Sequence, residues 1–279
     1  MHKPIVIQTD FGLSDGAVNA MYGVAMTVEP SLKIYDLTHD IPQYNIWEAS
    51  YRLFQTIAYW PEETVFVSVV DPGVGTDRRS IVVKTTTNQY IVTPDNGTLT
   101  HINQSIGISE VRIIDEEINR LPRSGDSYTF HGRDIYAYTA ARLASNIISF
   151  SQIGPEWKVN QLVELTIPTA ELTGNTIFGH IDILDVRFGN VWTNIDRSLL
   201  VQAGIHYGDM VEVKIENNRR AIYKNNVLFG RSFADSHLGE PVMYINSVDK
   251  LGIAINQGSF AKAYRISTGS NWKISITKS

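Results

Sequence analysis

Apolar residues in this chain alternate between short unbroken runs and helically spaced stripes. Residues 64–70 are rich in β-branched side chains and without an alternating polar face, as a strand covered on both sides is; residues 4–9 read as another buried strand and 32–37 as a short one. Between them, residues 16–28 place Val18, Met21, Tyr22 and Ala25 at helical spacing, and residues 45–59 repeat the pattern before Trp60-Pro61 stops it. Strand, helix, strand, helix, strand predicts a parallel sheet joined by right-handed crossovers. Residues 81–84, 89–92 and 111–114 read as further strands, and 98–102 and 135–143 as helices.

The rhythm changes near residues 149–160. Short strands then follow at 176–184, 210–215, 221–223, 242–245, 251–255 and 272–276, with one helical stretch at 196–203. Such spacing predicts a small barrel or sandwich. The expected architecture is an N-terminal α/β domain with a mainly parallel sheet over residues 1–155, a linker over 156–172, and a smaller all-β, barrel-like domain over 173–279.

A length of 279 residues suits two such domains. The net charge of −5 and the scattered Lys and Arg argue against nucleic acid as a partner, which calls for a basic face. The chain has no cysteine, so thiolate chemistry, disulfides and Cys-based metal sites are excluded. Met1-His2-Lys3-Pro4 runs directly into a strand without the apolar region of a signal peptide, and no apolar run approaches the ~18 residues of a membrane span. A cytoplasmic protein away from membranes is expected.

Candidate chemistry gathers where strands end. After the run Val69-Val70 comes Asp71-Pro72-Gly73-Val74-Gly75-Thr76-Asp77-Arg78, at the carboxyl edge where ligands of open α/β sheets collect. The segment reads either as a plain Asp-Pro-Gly turn or as an active-site floor in which Arg78 folds back on Asp71. It lacks the ending of a phosphate loop, and no Gly-x-Gly-x-x-Gly opens a helix elsewhere. Asp10 and His131 also follow strand-like segments, so Asp71, Arg78 and His131 can meet in one crevice and hold a water. His131 alone is equally well a satisfied polar residue, and Asp15 equally well a helix cap. In Asp185-Val186-Arg187-Phe188-Gly189-Asn190, the aromatic and the amide suit a heteroaromatic ring or simply a hairpin with core aromatics; Phe233 is open in the same way.

Taken together, Thr9-Asp10-Phe11-Gly12, Asp71-Pro72-Gly73-Val74-Gly75 with Arg78, Pro94-Asp95-Asn96-Gly97, Phe130-His131-Gly132-Arg133-Asp134, Phe188-Gly189-Asn190 with Thr193-Asn194-Ile195, and Asn246-Ser247 resemble, in order and over nearly the whole chain, the S-adenosylmethionine hydroxide adenosyltransferases, relatives of fluorinases and chlorinases. The resemblance implies hydrolysis of S-adenosylmethionine to adenosine and L-methionine by attack of water or hydroxide on ribose C5′. It implies Asp71, Arg78 and His131 as catalytic residues, with neither metal nor cofactor. It further implies Asp10 at the ribose hydroxyls with Tyr44 beside them, Phe130 and Gly132 in the same site, Phe188 and Phe233 around adenine with Asn190 at its edge, and Asp15, Asp185 and Ser247 at the methionine ammonium and carboxylate. A homotrimer with sites between subunits is implied as well.

Two alternatives predict different products. A non-catalytic binder of S-adenosylmethionine or adenosine retains its ligand and releases no methionine. A halogenase needs room for a halide, which Asp71 and His131 fill. The chain departs from the family's common pattern at Gly16-Ala17-Val18, where an aromatic is usual, and at Met21-Tyr22-Gly23, where Met-Lys-Gly is usual.

Overall fold

The computed structural model describes residues 2–125, 128–269 and 271–278, which form two units, Met1–Leu165 and Thr166–Ser279. In the first unit the elements run β1 (Ile5–Thr9), α1 (Ala17–Val28), β2 (Ile34–Thr38), α2 (Ile46–Ile57), β3 (Val65–Val69), β4 (Ser80–Thr85), β5 (Tyr90–Pro94), α3 (Thr100–Ser105), β6 (Ile108–Ile113), α4 (Tyr138–Ala144) and β7 (Glu156–Trp157). They build a seven-stranded sheet in the order β2-β1-β3-β5-β4-β6-β7. The first four strands are parallel, and β4, β6 and β7 continue it antiparallel.

The continuous apolar runs have their cause in two cores. Ile5, Ile7, Val65, Val67 and Val69 pack on one face with Met21, Ala140 and Leu143. Val6 and Phe66 pack on the other with Leu53 and Ile57. Successive side chains point to opposite faces, so a strand buried on both sides shows no polar alternate. Helix α2 is amphipathic and starts where Asn45 accepts the Glu48 amide at 3.0 Å, an N-cap worth ~1 kcal/mol.

One local surprise lies beside the candidate chemistry. The helix expected from residue 135 begins at Gly132, as a π-helical turn over Gly132–Ala137 that passes into α4. Such turns widen the helix by one residue and concentrate at functional sites. Here the turn starts immediately after His131.

The second unit contains β8 (Glu171–Thr173), β9 (Thr176–Asp185), β10 (Asn190–Asp196), β11 (Met210–Asn217), β12 (Arg220–Phe229), β13 (Pro241–Ile245), β14 (Lys250–Ile255) and β15 (Trp272–Lys278). Pairings run β10-β14-β13-β12-β11-β15-β9, and β9 pairs again with β10, which closes a seven-stranded barrel with β8 attached outside β9. Closure leaves no free edge among those seven strands. Ile181, Val191, Val213, Ile253 and Ile276 are among the side chains that fill it.

Candidate active site

Thirteen residues were expected to carry the chemistry. The structure distributes them between two depressions, one in each unit.

The first is a cleft of about 290 Å³. Asp10, Asp15, Tyr44, Asp71, Phe130, His131 and Gly132 line it, and Arg78 reaches it from behind. The loop after β3 does fold back. Arg78 Nε donates to Asp71 Oδ1 at 2.9 Å and Nη2 to Oδ2 at 2.5 Å, a bidentate pair with both side chains 10% exposed or less. Asn96, in the Pro94-Asp95-Asn96-Gly97 turn after β5, donates to the Val70 carbonyl at 2.8 Å and so pins the chain one residue before Asp71. Its neighbour Asp95 takes Arg79 at 2.8 Å, which parts the two adjacent arginines.

Arg78 Nη2 also donates to His131 Nδ1 at 2.8 Å. A guanidinium has no acceptor. The ring must therefore receive at Nδ1, and in its neutral form it carries its proton on Nε2. That Nε2 is buried and has no hydrogen-bond partner among the described residues. Burial lowers the His131 pKa, and the adjacent Arg78 charge lowers it further. His131 is thus a neutral donor at the wall of the cleft.

The remaining guanidinium nitrogen, Nη1, donates to Ser80 at 2.8 Å, and Ser80 donates to Glu116 at 3.0 Å, itself held by Arg120 at 2.7 Å. The Tyr136 hydroxyl lies 3.5 Å from Asp71 Oδ2. Sequence reasoning did not find Ser80, Glu116 or Tyr136.

On the opposite side of the cleft, Asp10 accepts the Tyr44 amide at 2.8 Å. Tyr44 adopts φ 65°, an uncommon angle for a side chain of its size, to present that amide. Burial pushes the Asp10 carboxyl up; the Tyr44 and its own backbone amides oppose this, and the Asp71 charge adds to it. Gly132 admits the Phe11 ring, which would lie 3.1 Å from a Cβ there, and Phe11 meets Phe130 edge-on at 5.8 Å. Asp15 accepts the Ala17 amide at 2.9 Å, so it serves the start of α1 while lining the cleft.

The second depression is a cavity of about 840 Å³ in the barrel unit. All five remaining residues, Asp185, Phe188, Asn190, Phe233 and Ser247, line it. Phe188 and Phe233 are 68% and 43% exposed, so they are not core aromatics. Gly189, at φ 73°, sits where a Cβ would lie 1.8 Å from Ser259 Oγ; only glycine fits between Phe188 and Asn190. Asn190 is buried and donates to Asp185 at 3.2 Å. Tyr244, which no motif singled out, accepts from Trp192 at 2.8 Å and stands edge-on to Phe233 at 4.8 Å. Burial pushes its phenol up to about 12, with the Trp192 and Asn190 hydrogen bonds opposing.

Two family models, the N-terminal and C-terminal domains of SAM hydroxide adenosyltransferase, match residues 5–154 and 179–273. The chain belongs to the SAM hydroxide adenosyltransferase family. It is 35% identical over 218 residues to the (R)-S-adenosyl-L-methionine hydrolase of Methanocaldococcus jannaschii, covering 76% of this chain and 73% of that one. It is 32% identical to the hydrolase of the same name from Thermus thermophilus, over 96% and 97% of the two chains. With the fluorinase of Actinopolyspora mzabensis it shares 26% identity over 98% and 97%. Among solved structures, an uncharacterized conserved protein from Thermotoga maritima superposes with a TM-score of 0.89 at 32% identity, over 98% of this chain and all of that one. Where this chain departs from the family's common pattern, Tyr22 donates to Asp36.

Proposed function

We propose that this protein hydrolyses S-adenosyl-L-methionine to adenosine and L-methionine. The observation that carries the reading is the buried Asp71–Arg78–His131 group at the wall of a cleft, in a chain related to named hydrolases of this substrate. A water oxygen attacks ribose C5′ as the C5′–S bond breaks, and the bonding pair leaves with sulfur as a neutral thioether. One proton is released in sum. Asp71 takes the hydrogen of the attacking water, through a lone pair that Arg78 leaves free. His131 donates its Nε2–H to the same oxygen and steadies the charge it gains. Arg78 fixes both partners. The sulfonium charge is cancelled as hydroxide character develops, which a water-poor cleft favours.

In this reading Asp10 receives the ribose hydroxyls next to Tyr44, with Phe130 and Gly132 shaping the pocket. Phe188 and Phe233 flank adenine, Asn190 meets its edge, and Asp15, Asp185 and Ser247 hold the methionine end. The chemistry needs no cofactor and takes place in the cytoplasm. Among the described residues, Tyr44 is the one exposed ring that lines the cleft, and none of Asp71, Arg78 and His131 lines the barrel cavity. We assign the complete site to two copies of the chain in a homotrimer, each lending one depression.

Incubation of the purified protein with S-adenosylmethionine and chloride, followed by mass spectrometry, tests the reaction. Adenosine and methionine in equal amounts are expected. A chlorinated nucleoside, or retained substrate without methionine, overturns it. Mixing Asp71→Asn with Asn190→Ala protein at limiting substrate tests the shared site: activity rises above the sum of the two variants if the two lesions can segregate into different sites, and equals that sum if each chain works alone.

A further inference from the structure

Behind the cleft, a chain of hydrogen bonds ties the Asp10 loop to a buried imidazole. Thr9, the last residue of β1, is fully buried, and His39 is 4% exposed. The Phe11 amide donates to Thr9 Oγ1 at 3.2 Å, Thr9 Oγ1 lies 2.9 Å from His39 Nδ1, and His39 Nε2 lies 3.1 Å from Asp36 Oδ1. Tyr22 donates to the same Asp36 oxygen. The Gly12 amide meets the His39 backbone carbonyl at 2.8 Å. Residues on both sides of Asp10 are therefore held by His39.

The proton positions follow from the partners. A carboxylate only accepts, so Nε2 carries the ring proton towards Asp36. In the neutral ring Nδ1 then receives the Thr9 hydroxyl hydrogen, and a Thr9 lone pair receives the Phe11 amide. The Tyr22 hydroxyl oxygen, 3.3 Å from Nε2, is a second acceptor for the ring proton. Thr9, His39 and Asp36 line neither depression.

The Asp10 loop needs such a hold. Its carboxylate is half-buried and faces the Asp71 charge, and both conditions favour swinging out to water. The β1–β2 register breaks at this point, with Ile7 opposite Asp36 and Gln8 opposite Thr38. The extra residue brings Asp36 and His39 together beside the end of β1.

We propose that Thr9, His39 and Asp36 are positioning residues that fix Asp10 and thereby set affinity for the ribose. The proposal rests on the reading that Asp10 receives the ribose hydroxyls. It predicts that the chain governs nucleoside binding and leaves the C5′–S cleavage step nearly untouched.

The test is calorimetric binding of adenosine and of 2′,3′-dideoxyadenosine to wild type, Thr9→Val and Thr9→Ser, with kcat measured on S-adenosylmethionine. Thr9→Val keeps the shape and removes the hydroxyl. It is expected to weaken adenosine about 10-fold, to leave the dideoxy compound unchanged, and to move kcat less than threefold. Thr9→Ser restores adenosine binding. Should Thr9→Val fail to fold, Asp36→Ala, at a half-exposed side chain, shows the same selective pattern at about threefold. Equal weakening of both nucleosides, or no weakening of adenosine, overturns the proposal. Wild-type protein that binds both nucleosides alike removes the ribose reading of Asp10 instead, and does so without reference to turnover.

Discussion

The two depressions differ in how their polar groups are used. In the cleft of the first unit, charges are buried and interlocked: Arg78 spends its N–H groups on Asp71, His131 and Ser80. In the barrel cavity, the larger volume is walled by exposed rings and the buried amides of Asn190 and Asn246. Interlocked charge fixes the position of a reacting atom but gives little area for binding. Exposed rings give area and tolerate small shifts. The difference teaches that rate and affinity are separable here, and substitutions on the two sides should divide accordingly.

The largest effect is expected from Asp71→Asn. Removing the acceptor for the water proton should lower kcat by roughly 10²–10⁴-fold with substrate affinity changed only a few-fold, as read by single-turnover adenosine formation beside calorimetry. A thermal melt must accompany it, since breaking a buried ion pair costs about 3–5 kcal/mol. Phe188→Ala and Phe233→Ala form the counterpart. Each should weaken nucleoside binding by about 1–3 kcal/mol, the usual value of a base–aromatic stack, while kcat at saturation stays near wild type. If the aromatic variants lose kcat and Asp71→Asn loses only affinity, the division is wrong.

The pH profile sharpens the same contrast. His131 is held below its ordinary value of 6.5, so its neutral donor form persists as pH falls through the usual imidazole range. kcat/KM should therefore decline only below about pH 6.5, and His131→Gln should lose that limb, leaving the one due to Asp10, whose carboxyl is raised. The barrel has its own titrating group away from the cavity. Asp182 is buried, which pushes its carboxyl up from 3.8 to about 7, with Lys250 opposing and Asp196 adding. Between those values the folded state binds more protons than the unfolded, so this group's contribution falls as pH rises. Asp182→Asn should flatten the pH dependence of the urea midpoint between about pH 4 and 7, with turnover unchanged. It is the smallest of the expected effects.

Much of this was legible in the sequence because local pattern carried it. The doubly buried strands, the amphipathic α2 with Asn45 at its start, and the Asp71–Arg78 loop each lie within one short segment. His131 joins Arg78 from 53 positions away as expected, but from the start of a helical turn and not from the end of a strand. The closing of the barrel was less accessible: β9 pairs with β15 nearly a hundred residues on, and periodicity within a strand says nothing about its partner. The π turn after His131 was not legible because it opens with Gly132-Arg133-Asp134, which carry no apolar position from which to read a period. Ser80–Glu116 and Thr9–His39–Asp36 were hidden for a third reason. Single polar side chains have no period, and only the folded register shows which of them meet.

The central claim is that Asp71, Arg78 and His131 direct a solvent oxygen onto ribose C5′. Turnover of S-adenosylmethionine in ¹⁸O-water without added halide, followed by mass spectrometry of both products, tests it most directly. One ¹⁸O in adenosine at C5′ and none in methionine are expected. Unlabelled adenosine, label in methionine, or no adenosine from protein that binds the substrate would contradict it.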